Sequence, residues 1–388
     1  MQSTFCSHVE AIAMNSQSSP AVAVAFEPPV KLPEADQFRA IRIWLYILSA
    51  LIVIMVLVGG ATRLTDSGLS ITKWNLLIGF IPPLNAAHWQ AEFLLYQTTD
   101  EFKIQNSSMT MDQFKVIYWW EWAHRFLGRL IGLTVLVPMI VFWKMGRLTP
   151  WLKKAALGLF VLVCLQGFIG WWMVKSGLVD RVDVSQIRLA IHLTTACIFL
   201  AATIWVARSV APHTVAGDNA GFAQTGWLLL LILLQIFIGG LVAGLDAGMA
   251  YNTWPDMNGE IIPQSLWAAT PFWVNLTDNA LTVQFFHRCI AYLLWFAVLA
   301  HAVVMLCDNP SSPHARRALL LFVLVTVQAL IGITTLLLQV PFSWALLHQL
   351  GAVVVLAFAT AHWRALSPPQ IEVRRQQVRN SGPAYGAI

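Results

Sequence analysis

Four of the ten histidines in this 388-residue chain, His124, His192, His287 and His348, occupy equivalent places in a repeated pattern. Each stands at the outer end of an apolar segment, and four residues after each comes a small side chain: Gly128, Ala196, Ala291 and Ala352. Positions i and i+4 share a helix face, so each imidazole projects over a nearly bare surface. A flat ligand needs that clearance beside an axial nitrogen. Small residues also serve ordinary packing between membrane helices, but their recurrence after all four histidines favours a planar ligand. Structural zinc wants four nitrogen or sulfur ligands in one cluster, and the five cysteines form no C-x-x-C pair. Two histidines per half suit bis-histidine ligation of heme iron better. Two heme sites near the outer face are therefore expected. His8, His88, His213, His301, His314 and His362 read as tail, loop or inner-interface residues.

The two halves differ at one chemically important place. Glu121 precedes His124 by three residues on the same helix face, whereas Gln284 precedes His287. A carboxylate there could act as a general base or stabilise positive charge developing on an oxidised substrate. The alternative is an interfacial Glu bonded to backbone or to Arg125. Heme propionates would need cations near the outer surface. Arg125 and Arg288 directly follow two of the histidines and are candidates, though a structural role serves them equally well; Arg63, Lys73 and Arg129 extend that set. The asymmetry marks the first half as the reaction site and the second as a redox cofactor site.

Elements that could hold these residues follow from composition. The chain is 57% hydrophobic and only 11% charged, against about 25% charged residues in a soluble domain. Lipid must therefore cover its surface. Eight segments approach the roughly 20 apolar residues a span requires: 39–58, 124–143, 155–174, 189–207, 226–245, 280–306, 318–340 and 342–363. The fold class expected is all-α integral membrane, with eight transmembrane helices as two pseudo-symmetric four-helix bundles from a tandem duplication. The duplication is legible because Gly59-Gly60, Asp66, Gly68, Trp74 and Pro83 recur 180 positions on as Gly239-Gly240, Asp246, Gly248, Trp254 and Pro263. A finer repeat ends three odd segments with Gln166…Gly170, Gln235…Gly239 and Gln328…Gly332.

The domains expected are a polar cytoplasmic tail over 1–38, an N-terminal bundle over 39–210 with a long outer loop at 64–119, a C-terminal bundle over 211–365, and a cytoplasmic tail over 366–388. The long loop is large enough to act as a lid. Basic residues Lys144, Arg147, Lys153, Lys154, Arg316, Arg317, Arg374, Arg375 and Arg379 fall on the side of both termini, which the positive-inside rule makes cytoplasmic. Lys175, Arg181 and Arg188 run against it. The first tail sets Glu10, Glu27, Glu34 and Asp36 against Lys31, unlike an Arg-rich mitochondrial presequence. A bacterial cytoplasmic (inner) membrane is expected. The net charge of +5 reflects these flanks and points to no nucleic acid.

Gly59-Gly60-Ala61-Thr62-Arg63-Leu64-Thr65-Asp66-Ser67-Gly68-Leu69-Ser70, Glu121-Trp122-Ala123-His124-Arg125 and the doubled layout make the chain resemble the heme A synthase family over about residues 40–365. The resemblance implies oxidation of the C8 methyl of heme O to a formyl group, with water as oxygen source and electrons leaving through a bound heme B. It implies that His124 and His192 enclose the substrate, that His287 and His348 ligate heme B, and that Glu121 is the catalytic carboxylate. With no cysteine between Cys6 and Cys164, the chain is similar to the branch lacking an outer-loop cysteine pair. Implied partners are heme O, membrane lipid, heme O synthase, cytochrome oxidase or its assembly factors, and a second copy of the chain. The rival functions are a b-type cytochrome relaying electrons and a heme-handling transporter or chaperone. Neither explains Glu121 opposite Gln284.

Overall fold

A computed structural model describes residues 37–74, 78–178, 182–211 and 218–367. Residues 1–36 and 368–388, with the acidic and basic tail residues, lie outside the described residues, as do Arg181 and His213. Among the described residues, eight helices are long and apolar enough to cross a membrane. They are α1 (Arg39–Leu64), α4 (Met111–Lys144), α5 (Pro150–Gly177), α6 (Gln186–Ser209), α7 (Asn219–Gly244), α8 (Ala280–Asp308), α9 (Pro313–Leu337) and α10 (Phe342–Leu366). Two short helices, α2 (Ala86–Tyr96) and α3 (Asp100–Ile104), lie in the first outer loop. Helices dominate because lipid offers no partners to backbone N–H and C=O groups, which a helix satisfies internally. The chain is an all-helical, multi-pass membrane protein.

Polar residues at the chain's turns start the helices. Thr110 and Gln113 form a capping box at α4, Thr149 and Pro150 open α5, and Ser312 and Pro313 open α9. The box at Thr110 corrects one expectation. Hydropathy carries the outer loop to residue 119, yet the helix begins at Met111. An amphipathic stretch carrying Asp112 and Lys115 escapes a hydropathy reading, because α4 protrudes above its apolar part and packs there against loop residues. That protruding turn brings Phe114, Ile117 and Tyr118 into a small core with Phe93 and Tyr96 of α2. The long loop is thus a folded cap.

One buried apolar cluster joins α1, α4, α5 and α6, with Leu45, Leu48, Val135, Leu152 and Leu200 at its centre. A second joins α7, α8, α9 and α10 through Ile232, Val298, Leu321 and Leu356. Helices α1 and α6 face α7 and α10 across the seam between them. Outward-facing apolar residues, among them Ile47, Val137, Leu230 and Phe296, are exposed around the circumference. That is the surface a bilayer covers.

Candidate functional site

The first two histidines stand on diagonally opposed helices of the first cluster, His124 on α4 and His192 on α6, each of which packs against α1 and α5. Their ring centres lie 6.4 Å apart. His287 on α8 and His348 on α10 repeat the arrangement at 6.5 Å. A metal–imidazole bond of about 2 Å, plus roughly 1 Å from nitrogen to ring centre, puts two rings ligating one ion from opposite sides about 6 Å apart. Both separations match what two imidazoles holding one metal ion between them would need, and neutral imidazole is a suitable donor for heme iron.

The facing helices are shaped around these rings. A Cβ added to Gly59 would sit 2.8 Å from His124 Cε1, and one on Gly170 3.0 Å from His192 Cε1. Gly239 and Gly332 face His287 and His348 in the same way, at 3.2 and 2.6 Å. Four glycines thus cradle four imidazoles edge-on. This predicts an inverted mutational effect at Gly332. Alanine normally improves a helix by about 1 kcal/mol over glycine, but Gly332→Ala should displace His348 and lower whatever heme the second pair is expected to hold. Gly167, with nothing near its hypothetical side chain, supplies the control: Gly167→Ala should leave heme content unchanged in absorbance spectra of the purified proteins.

A second element of three of the cradles is an amide one turn before the glycine. Gln166 Nε2 donates to the backbone carbonyl of His192 at 2.9 Å and lies 3.1 Å from Nδ1 of the ring. Gln235 does the same to His287, at 3.0 and 3.1 Å, and Gln328 to His348, at 2.8 and 3.1 Å. The finer sequence repeat marks these glutamines without assigning them a task; their spacing of four before the glycine is the available signal.

Glu121 is 3% exposed. One oxygen accepts from Arg125 at 2.5 Å, and the other accepts from the Ser70 hydroxyl and the Ile71 N–H, both at 2.7 Å. Arg125 also donates to the carbonyls of Ile71 and Lys73. In the other half Gln284 accepts from Arg288 at 3.0 Å and donates to the Ala247 carbonyl, while Arg288 donates to the Tyr251 and Asp256 carbonyls. Glu121 and Gln284 are therefore structural counterparts, and both arginines tie an outer loop to the helix bearing a histidine. The terminal guanidinium nitrogens of Arg125 and Arg288 are engaged with loop carbonyls and with residue 121 or 284, whereas Arg288 Nε is buried without a partner. Arg63 bridges the halves, pairing with Asp66 and with Asp246 at 2.8 and 2.7 Å. Arg129 stacks on Phe80.

Two further groupings escape the sequence reading. His301 and His362, expected as unrelated interface residues, meet at 3.1 Å between their Nε2 atoms. Each lies fourteen residues beyond His287 or His348 on the same helix, close to four whole turns at 3.6 residues each, so one helix face carries both. Their ring centres are 5.4 Å apart, closed onto a direct hydrogen bond. Glu101 of α3 is buried at 3% exposure, with Oε2 lacking a partner. Burial first, then the charge of Glu121, pushes its carboxyl up to about 8. In the unfolded chain it would ionise near about 4.3, so the folded cap loses stability as pH climbs from there to about 8 and no further above. Glu101→Gln should flatten that slope. Limited proteolysis of the outer loop between about pH 5 and 8 would read it, with the variant showing no added susceptibility toward the alkaline end.

Residues 42–360 match the family model described as cytochrome oxidase assembly protein. Among curated relatives, a heme A synthase of Sinorhizobium fredii is 52% identical over 343 residues, covering 87% of this chain and 94% of the relative. A heme A synthase of Chelativorans is 55% identical over 328 residues, covering 84% and 90%. One from Rhizobium etli is 53% identical over 330 residues, covering 84% and 89%.

Proposed function

The chain belongs to the heme A synthase family of cytochrome oxidase assembly proteins, and from that premise we propose that it is a membrane oxidoreductase of heme A biosynthesis converting heme O to heme A. The observation carrying this reading is the pairing of equal histidine spacings with unequal neighbours: 6.4 and 6.5 Å between ring centres, but a carboxylate bound to Arg125 one turn before His124 where an amide bound to Arg288 stands one turn before His287. His124 and His192 would hold heme O and orient its C8 methyl. His287 and His348 would hold heme B, with the two sites in tandemly duplicated bundles over 39–210 and 211–365. When bound, heme B supplies a one-electron centre through which electrons leave the reaction site.

The chain's own groups do the rest. Glu121, ion-paired with Arg125, can hold a proton released from methyl or water and stabilise positive charge on the oxidised carbon. The cap formed by α2, α3 and the protruding turns of α4 limits solvent entry over the first half. Water is the oxygen source in this reading. Both termini face the cytoplasm of a bacterial cell, and heme O synthase and cytochrome oxidase or its assembly factors are the partners that would supply substrate and take product.

Heme extracted from the protein purified out of cells that make heme O decides between enzyme and relay. Heme B together with heme A, or with the hydroxylated intermediate, is expected. Heme B alone, with heme O available, would leave a b-type cytochrome in place of the enzyme.

A further inference from the structure

Three of the four candidate ligands are held by an amide; one is not. At the position where α5, α7 and α9 carry Gln166, Gln235 and Gln328, four residues before the cradle glycine, α1 carries Met55. Nδ1 of His124 is correspondingly buried with no hydrogen-bond partner. The Met55 methyl lies against Gly128, where a Cβ would meet it at 3.1 Å. The other three histidines have alanine at that i+4 place. Met55 and Gly128 therefore form a matched pair replacing the Gln–Ala pair found three times elsewhere.

The difference matters for an imidazole bound to iron. A histidine ligating through one nitrogen carries its proton on the other, and a partner for that proton fixes the ring and strengthens the ligand. A glutamine amide can present N–H to a bare Nδ1 or C=O to a protonated one. The Oε1 atoms of Gln166, Gln235 and Gln328 are all buried without a partner, so an acceptor is at hand in each clamped cradle. A thioether is only a weak acceptor and leaves Nδ1 of His124 without a hydrogen-bonded anchor.

Resting on the heme reading above, we propose that Met55 makes His124 the releasable ligand, so that heme exchanges at the His124–His192 pair while the twice-clamped His287–His348 pair retains its heme. Met55, Gln166, Gln235 and Gln328 are positioning residues in this scheme. They distinguish a substrate site from a cofactor site on one shared architecture.

The test is loss of ferric heme from the full-length protein, loaded with hemin in lipid nanodiscs and mixed with excess apomyoglobin. The wild type should lose heme in two phases. Removing an outer partner of a metal ligand costs roughly 10–100-fold in affinity, and shifts of that size are expected here. Met55→Gln, nearly isosteric, should slow the fast phase by roughly 10-fold or more and leave the slow phase alone. Gln328→Met should speed only the slow phase. Gly128→Ala combined with Met55→Gln rebuilds the complete clamp if the single variant folds poorly. The low-spin electron paramagnetic resonance signal of the first site should also move in Met55→Gln toward that of the second, a change that general destabilisation would not produce. A single phase in the wild type, or a fast phase indifferent to residue 55, would overturn the proposal while leaving heme binding intact. Failure to take up hemin at all would sink the heme reading itself.

Discussion

Changing Glu121 to glutamine should stop methyl oxidation while both hemes stay bound, with a loss of roughly 10²–10⁴-fold for a group acting in proton transfer. The expectation is specific because the molecule already contains the amide version. Gln284 accepts from Arg288 at 3.0 Å, so an amide introduced at position 121 can accept from Arg125 in the same way. Heme retention should survive, since no ring contact to His124 or His192 runs through Glu121. There is a structural cost to separate out. The Ile71 N–H now donates to a carboxylate oxygen at 2.7 Å, and an amide NH₂ placed there would oppose it, at about 1–3 kcal/mol for an unsatisfied buried donor. Ser70→Ala removes one anchor at 2.7 Å without touching the charge. It should lower turnover less than about 10-fold, in line with the roughly 1 kcal/mol worth of one hydrogen bond. Equal losses in the two variants would reassign Glu121 to loop anchoring alone.

If the second pair holds heme B as proposed, His287→Ala and His348→Ala should each abolish turnover by removing it, and should do so equally. Both rings belong to one pair at 6.5 Å, so neither can hold an axial ion firmly alone. Each substitution also strands a buried amide, Gln235 or Gln328. The loss of ligand should exceed the roughly 10–100-fold that outer partners contribute to metal affinity. Pyridine hemochrome analysis would register one heme equivalent missing, and extraction would find heme O unconverted. His192→Ala should instead spare heme B. If heme B followed His192 rather than His287, the division of labour between halves would be reversed.

Hydropathy and repetition made the eight spans legible, because a bilayer permits few alternatives to a helix of about 20 apolar residues. They also exposed the four histidines, since equivalent repeat positions must occupy equivalent helix faces. The limits came where polar segments fold above the membrane. The start of α4 at Met111 and the core of Phe93, Tyr96 and Phe114 carry no such signal. Their apolar residues recur at helical spacing, Phe93 with Tyr96 and Phe114 with Ile117 and Tyr118, but on short amphipathic pieces that become a core only when they meet.

What the sequence determined by itself was periodic: which helices cross, which histidines are equivalent, and that Glu121 stands opposite Gln284. Tertiary structure decided the pairings. It set His124 against His192 and His287 against His348, turned Arg125 and Arg288 onto loop carbonyls, and brought His301 to His362. It also aimed three glutamines at three rings and left the fourth ring without one. The reason is geometric. Period along one helix says which face a side chain shares, but only the rotation and height of the neighbouring helix say what that face meets.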